Sequence, residues 1–490
     1  MKSSRIFSVL AAAMAFLSCS CRVSEPSFVQ VKDGHFVCKD YPSHFVGTNF
    51  WYGAILGSDG QGGDRARLEA ELDTLKALGM VNLRVLVGGD GPDGIPTRVS
   101  PTLQKEPGVY NDTIFRGLDY LLAEMAERDM KAVLYINNSW EWSGGYGMYL
   151  EWAGEGKALI PAESGYVPFM ESVSRFVTCD KAKELFYDHV KHVVSRTNTV
   201  TGKPYKDDPA IFSWQIGNEP RCFRADSTGQ AAFVDFMWTT ASLIKSLDPN
   251  HMVSSGSEGS WGCENDMSLY ERIHSCPDID YMNIHIWPYN WSWVRENTLS
   301  SNLPVAIANT DKYIDDHLAL AEKYGKPVVL EEFGFPRDGF QFKQGTPTTA
   351  RDAYYNHVFG RIEDSARNGG LFAGLNFWAG EDLQASLRPI FIGGRVTTTA
   401  AILPRSSRDS IPYMHAMNPP LMSSRQLPLP SKRLFFRTHG LCLTRQRAYT
   451  QARDLTKSRR EWPLPHMTRL MWSLRFRLIS ESLFLQAGML

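Results

Sequence analysis

Short apolar segments alternate with longer amphipathic stretches along the first 380 residues of this 490-residue chain. Eight of the apolar segments are rich in β-branched and aromatic residues: 44–51, 81–88, 131–137, 211–218, 251–258, 281–287, 327–334 and 370–378. Between them, residues 65–78, 310–324 and 348–368 carry apolar side chains at helical spacing. Apolar strands that alternate with helices are typical of a parallel sheet covered by helices. Eight such units predict an α/β protein, a (β/α)8 TIM barrel over residues 28–380.

Polar residues of the predicted barrel collect at one end of its strands. Six of them lie at or near the C-terminal end of a strand: Arg84, Asn218, Glu219, His285, Glu332 and Trp378. In barrels of this kind the C-terminal strand ends carry the active site, whereas the N-terminal ends carry stability. The sequence therefore predicts one polar site at this end.

Two of these residues are carboxylic acids on different strands. Glu219 follows the fourth strand in WQIGNEPR, and Glu332 lies on the seventh strand in LEEFG. Cleavage of a glycosidic bond with retention of configuration requires an acid and a nucleophilic carboxylate about 5 Å apart. Strand alternation predicts that only one of Glu331 and Glu332 faces the site, and alternation alone does not decide which. The alternative is that Glu219 is a salt-bridged loop residue and Arg84 a member of a core ion pair.

A set of sequence segments resembles a known family. The segments are FVGTNFWYG, NLRV, WQIGNEPR, HIWPYNW, LEEFGFPRD and GLNFW. Their order and spacing over residues 45–379 resemble glycoside hydrolase family five, most closely its endo-β-1,4-mannanase branch. The resemblance implies a retaining endo-hydrolase of β-1,4-mannosidic linkages in mannan-type polysaccharides. A β-1,4-glucanase, an exo-β-mannosidase and an inactive glycan-binding surface lipoprotein remain the alternatives.

The resemblance also implies roles for individual residues. It makes Glu219 the acid/base and Glu332 the nucleophile. It assigns Asn218 to the 2-hydroxyl of the substrate, Arg84 and His285 to the organisation of the site, and Trp378 to stacking beneath a sugar. Further substrate contacts are implied for Trp51, Tyr52, Trp140, Arg221 and Glu258.

At one position the chain departs from the family pattern. Many relatives carry a tyrosine two residues after the histidine of strand six, donating to the nucleophile, whereas this chain has Trp287. We expect the indole N–H of Trp287 to take that role, or else Tyr289 or a water molecule. Sugar rings stack their C–H faces on indoles, so about half of the tryptophans near strand ends are expected to contact substrate. These are Trp51, Trp140, Trp142, Trp287, Trp291 and Trp378.

The cysteines give no sign of a metal site. Beyond the N-terminal segment, six cysteines are scattered without the paired spacing of a zinc site or a disulfide framework. Cys222 and Cys263 could pair because both fall near the ends of predicted strands, but buried free thiols are the more common outcome. We expect no metal, no cofactor and no nucleic-acid partner, and a monomer that binds β-mannan.

Residues 1–21 have the features of an export signal. Lys2 and Arg5 precede an apolar run, residues 6–17, that is too short for a permanent membrane helix. FLSCSC places Cys19 where a bacterial lipoprotein signal carries its lipidated cysteine, and ordinary secretory cleavage is the alternative. We expect an exported protein, anchored at the cell envelope by a lipid or secreted, that meets a membrane only through that anchor.

Residues 381–490 differ in composition from the rest of the chain. They carry 17 basic and 6 acidic residues, and 15 of the basic residues are arginine, whereas residues 1–380 carry 35 basic and 47 acidic residues. A basic tail or a second domain would explain the change. We interpret the segment as the product of a frameshift near codon 380, a non-native Arg-rich tail in place of the last barrel helix.

Overall fold

A computed structural model describes residues 28–378, apart from residues 40, 225 and 342–345, together with the short strands Ile390–Ile392 and Arg395–Thr397. These two strands pair antiparallel. The predicted signal segment with Cys19 lies outside the described residues, as does the rest of the predicted tail from residue 381. The interpretations of both segments stay predictions.

Eight parallel strands form the centre of the fold. They are β1 (Phe45–Asn49), β2 (Asn82–Leu86), β3 (Lys131–Tyr135), β4 (Ile211–Gln215), β5 (Met252–Ser254), β6 (Met282–Ile286), β7 (Val328–Phe333) and β8 (Phe372–Phe377). Each strand pairs with the next along the chain, and β8 pairs with β1. A parallel bridge between Ser254 and Tyr281 joins β5 to β6 and closes the ring. The predicted barrel and all eight of its strands are confirmed.

Helices connect consecutive strands on the outside of the barrel. They are α1 (Arg65–Ala77), α2 (Asp112–Glu127), α3 (Asp180–Val194), α4 (Ser227–Leu247), α5 (Met267–His274), α6 (Leu303–Tyr324) and α7 (Thr349–Asn368). Helix α6 begins seven residues before the predicted start at Thr310, with a proline in its first turn, where the fixed φ of proline suits a helix. In the described part of the chain, no helix has both the length and the apolar character that crossing a bilayer requires.

The N-terminal end of the barrel is closed by an antiparallel hairpin, Gln30–Lys32 with His35–Val37. Its Phe36 packs edge-on against Phe212 and Tyr281, with ring centroids 5.1 and 5.5 Å away. Only 2% of Phe36 is exposed, and burial of such a side chain stabilises a fold by about 1.5–3 kcal/mol. This end is therefore an apolar plug, which leaves the opposite end for polar groups.

Loops with short helices surround the C-terminal end of the strands. The β3–α3 connection carries most of them: Glu141–Ser143, Gly145–Ala153, Pro161–Ser164, Tyr166–Val173 and Phe176–Thr178. Other loops at this end carry Gly53–Leu56, Ser260–Cys263, Glu296–Thr298, Asp338–Phe340 and the hairpin Gln104–Glu106 with Val109–Tyr110, whereas Tyr205–Asp207 lies in the loop that leads into the N-terminal end of β4. The β3–α3 connection places Trp140 beside the end of β4.

Candidate active site

A buried arginine organises the C-terminal end of the barrel. Arg84 on β2 is fully buried, and its Nη1 donates to Oε1 of Glu332 at 2.6 Å and to Oδ1 of Asn49 at 3.1 Å. Its Nε donates to Oε1 of Gln215 at 2.8 Å, and its Nη2 donates to Oδ1 of Asn218 at 2.9 Å. Charge-assisted hydrogen bonds are short and strong. Arg84 therefore fixes the Glu332 carboxylate and ties β2 to β1, β7 and the end of β4.

Strand β7 brings two consecutive carboxyl groups to this arginine. The register between β6 and β7 shifts by one residue, so that Glu331 is the extra residue of a β-bulge. Its Oε2 accepts from Gln215 Nε2 at 2.6 Å and lies 3.6 Å from Arg84 Nε, while its Oε1 accepts from the hydroxyl of Tyr281 at 3.3 Å. The prediction that alternation turns one of the two away from the site is therefore wrong. Glu331 lies among these polar side chains, and Glu332 is the carboxyl close to Glu219.

Glu219 follows β4 in an unusual backbone conformation. Its φ is +49°, in the left-handed region that non-glycine residues seldom occupy, and its N–H donates to the carbonyl of Gly256 at 3.0 Å. The indole Nε1 of Trp140 donates to Oε2 of Glu219 at 2.5 Å, and Oε1 lies 3.0 Å from Nδ1 of His285. One oxygen each of Glu219 and Glu332, with a ring nitrogen of His285, lie within 4.8 Å of one another.

Burial controls the ionisation of this pair. It raises the pKa of Glu219, although the positive charge of Arg221 lowers it. It also raises the pKa of Glu332 well above its ordinary value, although the positive charge of Arg84 lowers it. Two carboxyls this close share a proton before both ionise. The direct hydrogen bond from Arg84 favours the ionised form of Glu332. Burial lowers the pKa of His285 well below its ordinary value, which keeps its imidazole neutral.

The same three groups are close enough together to bind a cation. The guanidinium of Arg84 already supplies a positive charge 2.6 Å from Glu332, so the charge of the cluster does not require a metal ion. The expectation that the protein uses no metal and no cofactor stays a prediction.

A second ion pair lies beside Glu219. Arg221 donates to both oxygens of Glu258, at 2.5 and 2.7 Å, in the bidentate geometry that suits arginine and carboxylate. The Arg221 guanidinium lies 5.3 Å from the centroid of the Trp140 ring. The structure thus places Arg221, Glu258 and Trp140 next to Glu219, and the substrate contacts expected of them stay predictions.

Two tryptophans lie near Glu332 at the ends of β6 and β8. The rings of Trp287 and Trp378 meet edge to face with centroids 6.2 Å apart, and a Cβ atom added to Gly334 would lie 2.7 Å from the Trp287 ring. Within the described part of the chain, Trp287 makes no hydrogen bond to Glu332, which accepts from Arg84 instead. The expectation that the Trp287 indole replaces the missing tyrosine donor is therefore wrong.

The aromatic residues after β1 divide between two environments. Trp51 is buried and packs edge-on against Trp142 at 6.3 Å. Tyr52 points away from Glu219, since its hydroxyl donates to Glu71 of α1 at 2.8 Å. Tyr52 therefore packs between the loop and α1, and the substrate contact implied by the resemblance is not supported.

Other predicted residues lie in the loops after β4, β5 and β6. Trp291 is buried and stacks on Trp261 with centroids 4.7 Å apart. Cys222 and Cys263 are both buried free thiols, so they are not paired in a disulfide. Trp261 was not singled out by its sequence context.

Sequence reasoning missed Asn49, Gln215 and the role of Glu331. All three contact Arg84 or its partners and are buried. An amide side chain in the last position of a largely apolar strand is the available signal, and Asn49 and Gln215 both occupy such positions. Glu331 had no such signal, because the bulge depends on pairing with β6.

Comparison with known proteins identifies the family. A sequence model of the family described as GH family 5 beta-mannosidase-like matches residues 26–388. The mannan endo-1,4-beta-mannosidase 1 of Arabidopsis thaliana is 30% identical over 73% of this chain and 83% of its own length. The putative mannan endo-1,4-beta-mannosidase 9 of Oryza sativa subsp. japonica is 30% identical over 76% and 86%.

Solved structures agree with this result. The glycoside hydrolase family 5 mannosidase of Rhizomucor miehei has a TM-score of 0.69 and 33% identity, and the match covers 78% of this chain and 92% of that one. The endo-1,4-beta-mannanase of the same organism has a TM-score of 0.55 and 26% identity over 72% and 90%. The chain is therefore a glycoside hydrolase and belongs to glycoside hydrolase family 5, in its β-mannosidase-like group.

Proposed function

We propose that this protein hydrolyses β-1,4-mannosidic bonds within mannan-type polysaccharides, with retention of configuration, using Glu219 as acid/base and Glu332 as nucleophile. The supporting observation is the pair of carboxyl groups. One oxygen of Glu219 lies within 4.8 Å of one oxygen of Glu332, and Arg84 donates a hydrogen bond to Glu332 and none to Glu219. A separation of about 5 Å is typical of retaining enzymes, because an inverting enzyme needs room for a water molecule between its carboxyls.

The reaction has two displacements. In the first, an oxygen of the Glu332 carboxylate bonds to the anomeric carbon, the bond to the leaving sugar oxygen breaks, and Glu219 gives that oxygen its proton. In the second, Glu219 takes a proton from water, the water oxygen bonds to the anomeric carbon, and the bond to Glu332 breaks. Two inversions restore the β configuration and return both carboxyls to their starting states.

The surrounding residues bind and orient the sugar. Asn218 is held by Arg84 at 2.9 Å and donates to Asn138 Oδ1 at 3.2 Å, so its amide is fixed beside Glu219, where a 2-hydroxyl would lie. The half-buried indole of Trp378 offers a stacking surface beside Glu332. Both roles follow the family resemblance, and neither depends on a bound metal or cofactor.

The relatives support mannan as the substrate. The plant relatives are named for endo-action on mannan, and a mutant of the Rhizomucor miehei mannosidase was solved in complex with mannosyl-fructose. The higher TM-score to that mannosidase than to the endo-mannanase of the same organism favours exo-action on short mannosides as the second candidate.

The test combines stereochemistry, variants and substrate choice. Proton NMR of the first product should show the β anomer, and reducing sugar should appear from mannan and not from cellulose. Endo-action lowers the viscosity of a mannan solution before free mannose accumulates, whereas exo-action does the reverse. An α anomer as the first product would refute the assignment of Glu332 as nucleophile.

Two variants separate the roles of the carboxyls. Glu219→Ala should lower kcat/KM on mannan by about 10²–10⁴-fold but retain most of its kcat/KM on 2,4-dinitrophenyl β-mannoside, because this parameter reports the first displacement and that leaving group needs no proton; kcat on this substrate should still fall, since Glu219 is the base of the second displacement. Glu332→Ala should inactivate the enzyme on both substrates. Mannan binding that is unchanged in Glu332→Ala, together with no turnover by the unmodified chain, would instead support an inactive glycan-binding protein.

The expected location is also a proposal. A chain that acts on an extracellular polysaccharide must be exported, in keeping with the signal-like segment before Cys19. Cys19→Ser should abolish metabolic labelling with a fatty acid in a bacterial host and release the protein from the membrane fraction. Labelling that persists in this variant would exclude Cys19 as the lipidated residue.

A further inference from the structure

The hydrogen bond from Trp140 to Glu219 distinguishes the two oxygens of the acid. The Trp140 Nε1 donates to Oε2 at 2.5 Å. An indole N–H is a donor only, so Oε2 is an acceptor whether Glu219 is ionised or protonated. A carbonyl oxygen is a better acceptor than a hydroxyl oxygen, so when Glu219 is protonated this hydrogen bond favours the proton on Oε1.

Oε1 is the oxygen that lies toward the nucleophile. It is 3.0 Å from Nδ1 of His285, and the same nitrogen is 3.6 Å from Oε2 of Glu332. His285 is fully buried and neutral, because burial lowers its pKa. A neutral ring nitrogen can accept the proton of Oε1 in a hydrogen bond, and it does not compete with the substrate as a cation would.

Protein groups hold the Trp140 indole in place. Its ring stacks on Phe169 with centroids 6.2 Å apart and an interplanar angle of 16°. Phe223 meets it edge-on at 5.4 Å, Tyr166 at 6.3 Å, and the Arg221 guanidinium lies 5.3 Å from its centroid. Such packing fixes the direction of the N–H, which a platform that serves only to stack a sugar would not require.

We propose that Trp140 is a positioning residue which, by donating a hydrogen bond to Oε2 of Glu219, favours the acidic proton on Oε1 and so aims it at the glycosidic oxygen above Glu332. The inference rests on the proposed role of Glu219 as the acid. It replaces the stacking role that the family resemblance suggests for Trp140. The residue acts through Glu219 and has no part in bond making.

Other charged and titratable groups around Glu219 remain in the chain when Trp140 is replaced. These are Arg221 in the same loop, Arg84 on β2, Glu258 after β5, His285 on β6 and Glu332 on β7. The hydrogen bond from Trp140 lowers the pKa of Glu219 and so opposes the effect of burial. Its removal therefore favours the protonated form and shifts the alkaline limb of the activity profile to higher pH.

The test compares Trp140→Phe with Trp238→Phe in the full chain. Phenylalanine keeps an aromatic ring and removes the donor. Trp238 is a matched control on the surface of α4, where its Nε1 donates to the backbone oxygens of Arg272 and Ile273 at 3.0 and 3.2 Å. Each variant is assayed for kcat and KM on mannopentaose and for kcat/KM on 2,4-dinitrophenyl β-mannoside, across pH.

Trp140→Phe should lower kcat on mannopentaose by about 10- to 100-fold, a part of the contribution of general acid catalysis. KM should stay within about twofold, kcat/KM on the dinitrophenyl substrate should stay within about threefold, and the alkaline limb should move to higher pH. Trp238→Phe should match the unmodified protein. Replacement of Trp140 by benzothienylalanine, which has sulfur in place of N–H and the same ring shape, should reproduce the loss even if the phenylalanine variant folds poorly.

Two results would overturn the proposal. An increase in KM on mannopentaose with unchanged kcat would show that Trp140 is a stacking platform. Equal losses on the two substrates in the benzothienylalanine protein would show that the indole supports the fold of the site and does not direct the proton. Failure of the proposed function is distinguishable, because the unmodified chain would then not hydrolyse mannopentaose at all.

Discussion

Replacement of Arg84 by alanine would leave two buried carboxyl groups, those of Glu331 and Glu332, without their shared counter-ion. Arg84 is fully buried and lies 2.6 Å from Glu332 and 3.6 Å from Glu331. Breaking a buried ion pair by removing one partner lowers the free energy of unfolding by about 3–5 kcal/mol. Arg84→Ala removes the counter-ion of two buried carboxyl groups at once. We therefore expect the loss of unfolding free energy to lie in the upper part of this range at high pH, where both carboxyls are charged.

The size of this effect should depend on pH. Burial already raises the pKa of Glu331 to about 7, and loss of Arg84 raises it further, whereas a glutamate in the unfolded chain titrates near 4.3. The folded variant therefore binds more protons than the unfolded chain between these values, so its stability falls as the pH rises. The deficit of Arg84→Ala should be largest near pH 8 and smaller near pH 5, where the buried carboxyls are protonated.

Urea unfolding at pH 5 and pH 8 measures the loss of unfolding free energy in Arg84→Ala and its dependence on pH. The matched control is Arg196→Ala, which removes an arginine from the buried Asp119 outside the active site, where the two make hydrogen bonds of 3.0 and 2.7 Å. Burial raises the pKa of Asp119, but hydrogen bonds that include those from Arg196 outweigh it and lower that pKa. The loss of unfolding free energy in Arg196→Ala should therefore also shrink at low pH, but only below about pH 5. A deficit of Arg84→Ala that is equal at pH 5 and pH 8 would refute the assignment of a shared counter-ion.

Three further changes test other parts of the structure, and a fourth tests the tail. Trp287→Phe should lower kcat on mannan by less than about tenfold, because no hydrogen bond to Glu332 is lost; a loss of a thousandfold in steady-state kinetics would contradict this. Gly256→Ala should prevent folding or inactivate the enzyme, since its Cβ would lie 1.8 Å from the Gly217 carbonyl at a φ of +76°, and soluble, active protein would be the contrary result. Gly360→Ala should raise Tm, because the position lies inside α7 with nothing within 4 Å of the new Cβ and alanine favours a helix over glycine by about 1 kcal/mol; an unchanged or lower Tm would count against it. A gene with the reading frame restored after β8 should give more soluble protein and a higher Tm than this chain, and equal values would exclude the frameshift interpretation.

The barrel was predictable because its pattern is repeated. Each strand is a mainly apolar run of six residues or fewer that alternates with a helix, and eight repeats leave few alternative folds. The helix boundaries were less certain, since the first turns of α6 carry Pro304 and Ala306 and lack a strong apolar period. Arg84 was recognisable as the charged residue of β2, whereas its partners were not.

The parts of the site that sequence could not predict depend on geometry between strands. The bulge at Glu331 arises from the register of β7 against β6, which no local segment determines. The direction of the Trp140 indole depends on Phe169, which is 29 residues away along the chain and stacks on it. Tyr52 is next to Trp51, yet its hydroxyl reaches α1 because the chain turns after β1.

The left-handed backbone of Glu219 affects which variants of this protein are enriched when a library is selected for stability. At a φ of +49°, a residue with a Cβ atom destabilises the fold by about 1–2 kcal/mol. Glycine has no Cβ atom and would relieve that strain, and asparagine adopts this conformation more readily than glutamate. Substitution of this residue by glycine or asparagine is thus favoured by any selection that measures yield, heat resistance or half-life alone. Libraries ranked in that way will accumulate well-folded proteins without an acid, so a screen of this enzyme has to include turnover from its first round.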